Sequence, residues 1–183
     1  MAERVVSIQP LERSRVADLL ALGARNHSGV EGAGPQAPYD ETVERARLER
    51  RVAECEQRTG HTWTIHVDGV LAGDIGFNHV HRGNGQSANV GYMVDVDFRG
   101  RGVATDALRL VIRESFEVLQ LHRLDAGARV TNLASQRVLE KAGFRRVGVL
   151  EKHFYEDGAW RDHVLFELIG PDAPPPREPQ AAP

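Results

Sequence analysis

The stretch VDVDFRGRGVATDAL, residues 94–108, decides how the rest of the chain is read. Apolar alternation stops at Phe98, Gly100 and Gly102 bracket Arg101, and an amphipathic pattern begins at once. A helix N-terminus carries unpaired N–H groups and a partial positive charge, and glycines let a ligand approach the backbone. A strand that passes into a helix through Arg99-Gly100-Arg101-Gly102 therefore reads as a phosphate-binding turn, with a plain two-glycine turn as the simpler alternative. The spacing does not give a dinucleotide fingerprint, because position 105 is Thr where a third small residue is needed, and it gives no Walker loop.

Working outward, the best helical pattern of the chain follows this turn. Ala104, Leu108, Val111, Ile112, Ser115, Phe116 and Leu119 fall on one face. Before the turn, strands are expected over 63–67, 71–80 and 88–94, joined by Asp68-Gly69 and by a second glycine-rich turn, as an antiparallel meander. A strand over 5–8 and helices over 14–22 and 42–58 precede them, with a Gly/Pro-rich loop at 29–38. After the turn come a strand over 124–130, a helix over 132–141 closed by Gly143, and strands over 144–150 and 163–169. The strand–helix–strand unit around residue 102 requires one parallel pairing. The expected fold class is thus α/β, with a mixed, mostly antiparallel sheet flanked by helices.

The composition sets the frame. The chain has 183 residues, 41% hydrophobic and 27% charged, with a net charge of −3. That suits one soluble domain over 1–170, followed by a disordered proline-rich tail over 171–183, and argues against nucleic acid as the partner. The single cysteine, Cys55, leaves no intrachain disulfide. No run approaches the roughly 18 apolar residues of a membrane span, and the first residues lack a signal-peptide core, so no membrane partner and a cytoplasmic location are expected. His79 and His81 share a strand face, but two imidazoles do not make a metal site, and none is expected.

Four motifs in order give these elements a common meaning: NVGY at 89–92, the R-x-x-G-x-A of Arg99, Gly102 and Ala104, the helix NLASQRVLEKAGF at 132–144, and YEDG at 155–158 followed by Asp162-His163. Together they resemble the GNAT superfamily of acetyl-CoA-dependent N-acetyltransferases, in the RimJ/RimL variant that acts on ribosomal proteins, over roughly residues 4–170. The resemblance implies the GNAT acyl-CoA N-acyltransferase fold and acetyl-CoA as co-substrate, with no metal. It also implies direct transfer of acetyl to a primary amine, either a protein N-terminus or a small molecule. Dimers are common among such proteins, which makes a homodimer one assembly to expect. By the same resemblance, the backbone of Arg99, Gly100, Arg101, Gly102, Val103, Ala104 and Thr105 wraps the pyrophosphate. Met93 and Val94 lie beside the thioester, Asn132 bonds the pantetheine arm, and Arg137 reaches toward the adenosine end.

Acyl transfer to an amine also needs a proton acceptor and an acid for the leaving thiolate, since a lysine amine titrates near about 10.4 and an α-amine near about 8. Many family members carry a Tyr where Leu139 stands, which leaves Ser135, as in the RimJ/RimL variant, and Tyr155 as acids. The usual carboxylate positions are Asn89 and Phe154. Asn89 would then orient the amine or a water, and Asp74, His79, Glu151 and His153 remain as bases. Acceptor specificity is expected from residues 23–45 and the closing hairpin. Two other readings use the same turn: a non-catalytic CoA-binding sensor, and a nucleotide-binding α/β domain.

Overall fold

Asp40 opens the longest helix by accepting the N–H groups of Thr42 and Val43 at 2.9 and 3.2 Å, and acidic Glu41 and Glu44 fill the first turn beside the positive helix end. The computed structural model describes residues 4–27 and 38–171. In chain order its elements are β1 (Val6–Pro10), α1 (Val16–Asn26), α2 (Glu41–Glu56), β2 (Thr62–Val67), β3 (Val70–His81) and β4 (Ser87–Val94). There follow α3 (Val103–Arg113), β5 (Arg123–Arg129), α4 (Leu133–Lys141), β6 (Arg145–Glu156) and β7 (Ala159–Ile169). The Gly/Pro-rich loop expected at 29–38 and the tail expected at 171–183 lie outside the described residues, apart from Pro38 and Pro171.

The strands form one seven-stranded sheet in the order β1-β2-β3-β4-β5-β7-β6. Only β4 and β5 run parallel, as the intervening helix demands. Asp68-Gly69 makes the β2–β3 turn with φ of 50° and 82°, both in the left-handed region that this hairpin type requires. α3 lays Val103, Ala107, Leu108 and Val111 on the sheet, where they join Ile65, Ile75, Leu124 and Phe166 in the main core. On the opposite face a smaller core of Leu19, Leu20, Leu48 and Val52 locks α1 to α2.

Two elements differ from the sequence reading. The helix after the glycine turn is not uniform to Leu119: Glu114–Val118 widens into a π turn. Ser115, fully buried in an apolar layer, donates its hydroxyl to the Val111 carbonyl at 2.6 Å, and its own carbonyl accepts from Leu121. The closing hairpin is longer than the two short strands expected. A register shift between Leu150 and Phe154 absorbs two extra residues around Lys152, at φ 50°, and pairing resumes to Glu156, so the turn is only Asp157-Gly158.

Candidate active site

β4 pairs with β3 along its length but with β5 only at Ser87–Asn89. Beyond Asn89 the two parallel strands part. Asp95 donates its N–H to Ala72 on β3, so alternation turns the N–H and C=O groups of Val94 and Tyr92 toward the open side. A cavity of about 280 Å³ fills the gap, with Tyr92, Gly127, Asn132, Ser135 and His163 in its wall. The glycine turn follows β4 in the chain and opens α3. Gly100 and Gly102 adopt φ of 72° and 81°, a conformation costly for any side chain, and Gly102 is the residue from which α3 starts. A Cβ on Gly100 would meet open space, so that glycine is required by conformation and not by crowding. The N–H groups of Val103, Ala104 and Thr105 lie in the first turn of α3, where a helix has no backbone acceptors to offer them. This is a concave, N–H-rich surface of the kind a pyrophosphate fits.

Arg99 does not extend over this turn. Its Nε donates to the Val94 carbonyl at 2.9 Å and its Nη2 to Asn26 at 3.0 Å, which folds the guanidinium back beneath β4. Arg101 is exposed, and its carbonyl accepts from Arg4, which also pairs with Asp106. Asp95, fully buried, anchors the other side. Burial alone would raise its carboxyl, but Arg25, Asn26 and the Asp97 N–H hold it below the ordinary aspartate range.

At the inner end of the gap, Tyr92 and Ser135 share a hydrogen bond of 2.9 Å between their hydroxyls. Burial pushes the Tyr92 phenol up to about 12, against the opposing pull of Ser135, so it keeps its proton at neutral pH. Asn132 caps α4 by accepting the Ser135 N–H at 3.0 Å. The helix-cap reading of this residue is thus fulfilled, while its side chain also lines the cavity. Leu139 packs into the same wall, fully buried.

A second cavity, of about 300 Å³, lies on the other face of β4. α1 and α2 supply Leu20, Glu44 and Arg47, the strands supply Asp74 and Met93, and the β6–β7 turn supplies Asp157. Met93 faces this cavity while its neighbour Val94 is in the main core, as strand alternation dictates. Arg129 borders both cavities, with Nε to Glu156 and Nη2 to Asp157, each at 2.5 Å.

The structure therefore gathers Tyr92, Asn132 and Ser135 at one cavity, and Met93 and Arg99 at the other. It does not bring Tyr155 to either. That ring is 62% exposed and packs edge-on against Trp160. Its neighbour Glu156 points inward instead and lines the first cavity. Asn89 accepts from Asn78 at 2.9 Å and lines neither cavity, and Arg137 is exposed on the outer side of α4. Sequence reading missed Tyr92, Arg129, Glu156 and Asp157. Tyr92 stood in the NVGY motif and Glu156 and Asp157 in the YEDG turn, so only Arg129 carried no signal. Cys55 borders neither cavity, and burial raises its thiol.

Comparison with known proteins agrees with this geometry. Residues 6–145 match the model of an acetyltransferase (GNAT) domain. The probable N-acetyltransferase YjcK of Bacillus subtilis is 34% identical over 176 residues, 92% of this chain and 96% of that protein. The ribosomal protein uS5-alanine N-acetyltransferase of Escherichia coli is 33% identical over 107 residues, 58% of this chain and 55% of that protein. Among solved structures, Mycobacterium smegmatis RimJ in complex with CoA-disulfide is 30% identical with a TM-score of 0.81, covering 90% of this chain and 82% of that one.

Proposed function

The chain belongs to the GNAT family and is an acetyl-CoA-dependent N-acetyltransferase of the RimJ/RimL type, and from that premise we propose that its acceptor is the α-amino group of a protein N-terminus. The observation that carries this reading is the pair of cavities on opposite faces of β4, joined at Arg129. The open strand edge at the first cavity and the glycine turn that follows β4 in the chain suit acetyl-CoA. The other lies under α1, α2 and the hairpin turn, where a chain end fits. The name of the uS5-alanine N-acetyltransferase supports a ribosomal N-terminus as acceptor, and a cytoplasmic reaction belongs to the same proposal.

The roles follow from the positions. Backbone N–H groups from Gly100 to Thr105 hold the pyrophosphate, with Arg101 adding charge at the rim, while the Arg99 N–H is held by the Val96 carbonyl. Tyr92 and Val94 offer their outward backbone groups to the pantetheine arm, and Asn132 keeps its amide N–H donors for the same arm while its oxygen caps α4. Acetyl-CoA supplies the activated acetyl group. Ser135 donates toward the leaving sulfur, and the protonated Tyr92 hydroxyl restores the Ser135 proton. Arg129, fixed by two carboxylates, forms the wall past which the acceptor nitrogen reaches the acetyl carbon.

The test is a panel of amines with release of free CoA as readout. It comprises a peptide beginning with a free alanine, the same peptide N-terminally blocked but carrying a lysine, and a polyamine. The alanine peptide is expected to turn over and the blocked one not. Transfer to the lysine or the polyamine alone would overturn the α-amine assignment.

A further inference from the structure

The acceptor amine must lose a proton, yet the positions where this family usually keeps a carboxylate hold Asn89 and Phe154. The structure carries a negative charge close by, on the neighbouring strand. Asp74 is 3% exposed and stands directly across the β3–β4 ladder from Met93, on the face that opens into the second cavity. Oδ2 accepts from Arg51 at 3.0 Å, and Oδ1 accepts from no group of the described residues. Arg51 is itself buried and donates through Nη2 to Asn78 at 2.8 Å, and Asn78 donates to Asn89 at 2.9 Å. A continuous chain therefore runs from Asn89 through Asn78 and Arg51 to Asp74. A buried carboxylate with one oxygen spent on an arginine and the other at a cavity wall is costly to fold unless something cationic completes it.

We propose that Asp74 receives the acceptor's amino group and removes its proton during transfer. The proposal rests on the reading of the second cavity as the acceptor side. Asp74 Oδ1 takes one proton from the bound ammonium, which frees the nitrogen lone pair; the nitrogen–carbon bond then forms, and the second N–H proton, shed as the tetrahedral centre collapses, passes to solvent, from which the Tyr92–Ser135 pair regains the proton it gives to sulfur. The carbon–sulfur bond breaks with its electron pair on sulfur, which Ser135 protonates, and Asp74 returns its proton to solvent after the product leaves. Arg51 is a positioning residue: its two bonds fix which carboxylate oxygen faces the cavity. The other charged and titratable groups around Asp74 are Arg47 and Glu44 of α2, His27 and Tyr39 near α1, Arg99 below β4, and Arg129 and Asp157 by the hairpin. Burial raises the Asp74 carboxyl above the ordinary aspartate range, Arg51 and Arg47 pull against that rise, and Glu44 adds to it. A carboxylate so raised is the stronger base.

The test compares the wild type with Asp74→Asn and with Asp74→Asn/Arg51→Gln. The double variant removes both charges together and leaves no unpaired ion in the core. The probe is the free-alanine peptide, or whichever amine of the panel turns over, so failure of the α-amine assignment is read separately. In the wild type, kcat/KM for the amine should be level between an acid limb and the amine's own pKa. In both variants it should fall about a hundredfold at neutral pH, and it should climb tenfold per pH unit toward the amine pKa of about 8. Binding of acetyl-CoA should stay within twofold, which also reports folding. A second readout needs neither variants nor turnover of them: the Asp74 carboxyl, followed by carbon NMR in the free wild type, should titrate at the acid limb. Variants with the wild-type profile, or an Asp74 titration away from that limb, would overturn the proposal.

Discussion

Gly102 offers a sharp perturbation of the phosphate turn. Its φ of 81° is in the left-handed region, and a Cβ there would sit 3.6 Å from Arg4 Nη2 and 3.9 Å from Asp106 Oδ2, ordinary contact distances. Any side chain at 102 should therefore cost only the conformational term, about 1–2 kcal/mol. That lowers Tm by about 2–8 °C for a chain of this size. Gly102→Gln and Gly102→Glu share that cost and nearly share a shape; they differ by one negative charge at the head of α3. Against a unit charge 4 Å away that charge is worth about 1 kcal/mol in a water-like environment and about 4 kcal/mol at an effective dielectric of 20. The separation lies inside the screening length of about 8 Å at physiological salt. A pyrophosphate in the turn should therefore bind at least about fivefold more weakly to the Glu variant than to the Gln variant. Calorimetric titration of acetyl-CoA, with matched melting curves, makes the comparison. Equal affinities for the two variants, in folded protein, would refute the placement of the pyrophosphate at this turn.

Ser135→Ala and Tyr92→Phe should each slow single-turnover acetyl transfer by about tenfold to a hundredfold with acetyl-CoA affinity unchanged. Because the two hydroxyls form one hydrogen-bonded unit, the double variant should be little worse than either alone. Multiplicative losses would argue that they act separately. Asp95→Asn tests the anchor of the turn through pH. The folded-state pKa of Asp95 is depressed, so its stabilisation is present above the unfolded value of about 3.9 and fades as pH falls through the lower folded value. Tm of the variant should lie below wild type at pH 7, and the gap should narrow from pH 5 to pH 3; a constant gap would mean the carboxylate charge is not what holds α1 to the turn.

Local signals carried much of the architecture into the sequence. Asp68-Gly69, the two glycines before α3, the capping Asn132 and Gly143 with φ 99° each dictate a backbone event within a few residues, and each event occurs where it was read. What escaped depends on parity and distance. In the hairpin, successive side chains point to opposite faces; the two-residue shift between Leu150 and Phe154 leaves that alternation unchanged, so the one-residue bulge between Arg146 and Gly148 decides whether Tyr155 or Glu156 faces the cavity. The bulge favoured Glu156. Arg99 looked like a phosphate ligand because of its neighbours in sequence, but the Val94 carbonyl and Asn26, the latter 73 residues away, capture it. The chain from Asn89 to Asp74 crosses two strands and a helix, and no spacing along the sequence marks it.

The arrangement also bears on whether the acetyl group passes through the protein. An acyl-enzyme needs a nucleophile at the acetyl carbon and a base to activate it. Ser135 is the one hydroxyl of α4 at the cofactor-side cavity, and its partner is a phenol whose pKa of about 12 makes it a donor, not a base. Cys55, whose thiol is raised by burial and whose Sγ lies 3.8 Å from the Thr62 carbonyl, borders neither cavity. The carboxylate proposed to remove a proton is Asp74, and it lines the other cavity, the proposed acceptor side. On the proposed reading, acid and base lie at different cavities, Ser135 at the first and Asp74 at the second. That division suits attack by the amine itself, since each group then meets only the proton it has to move.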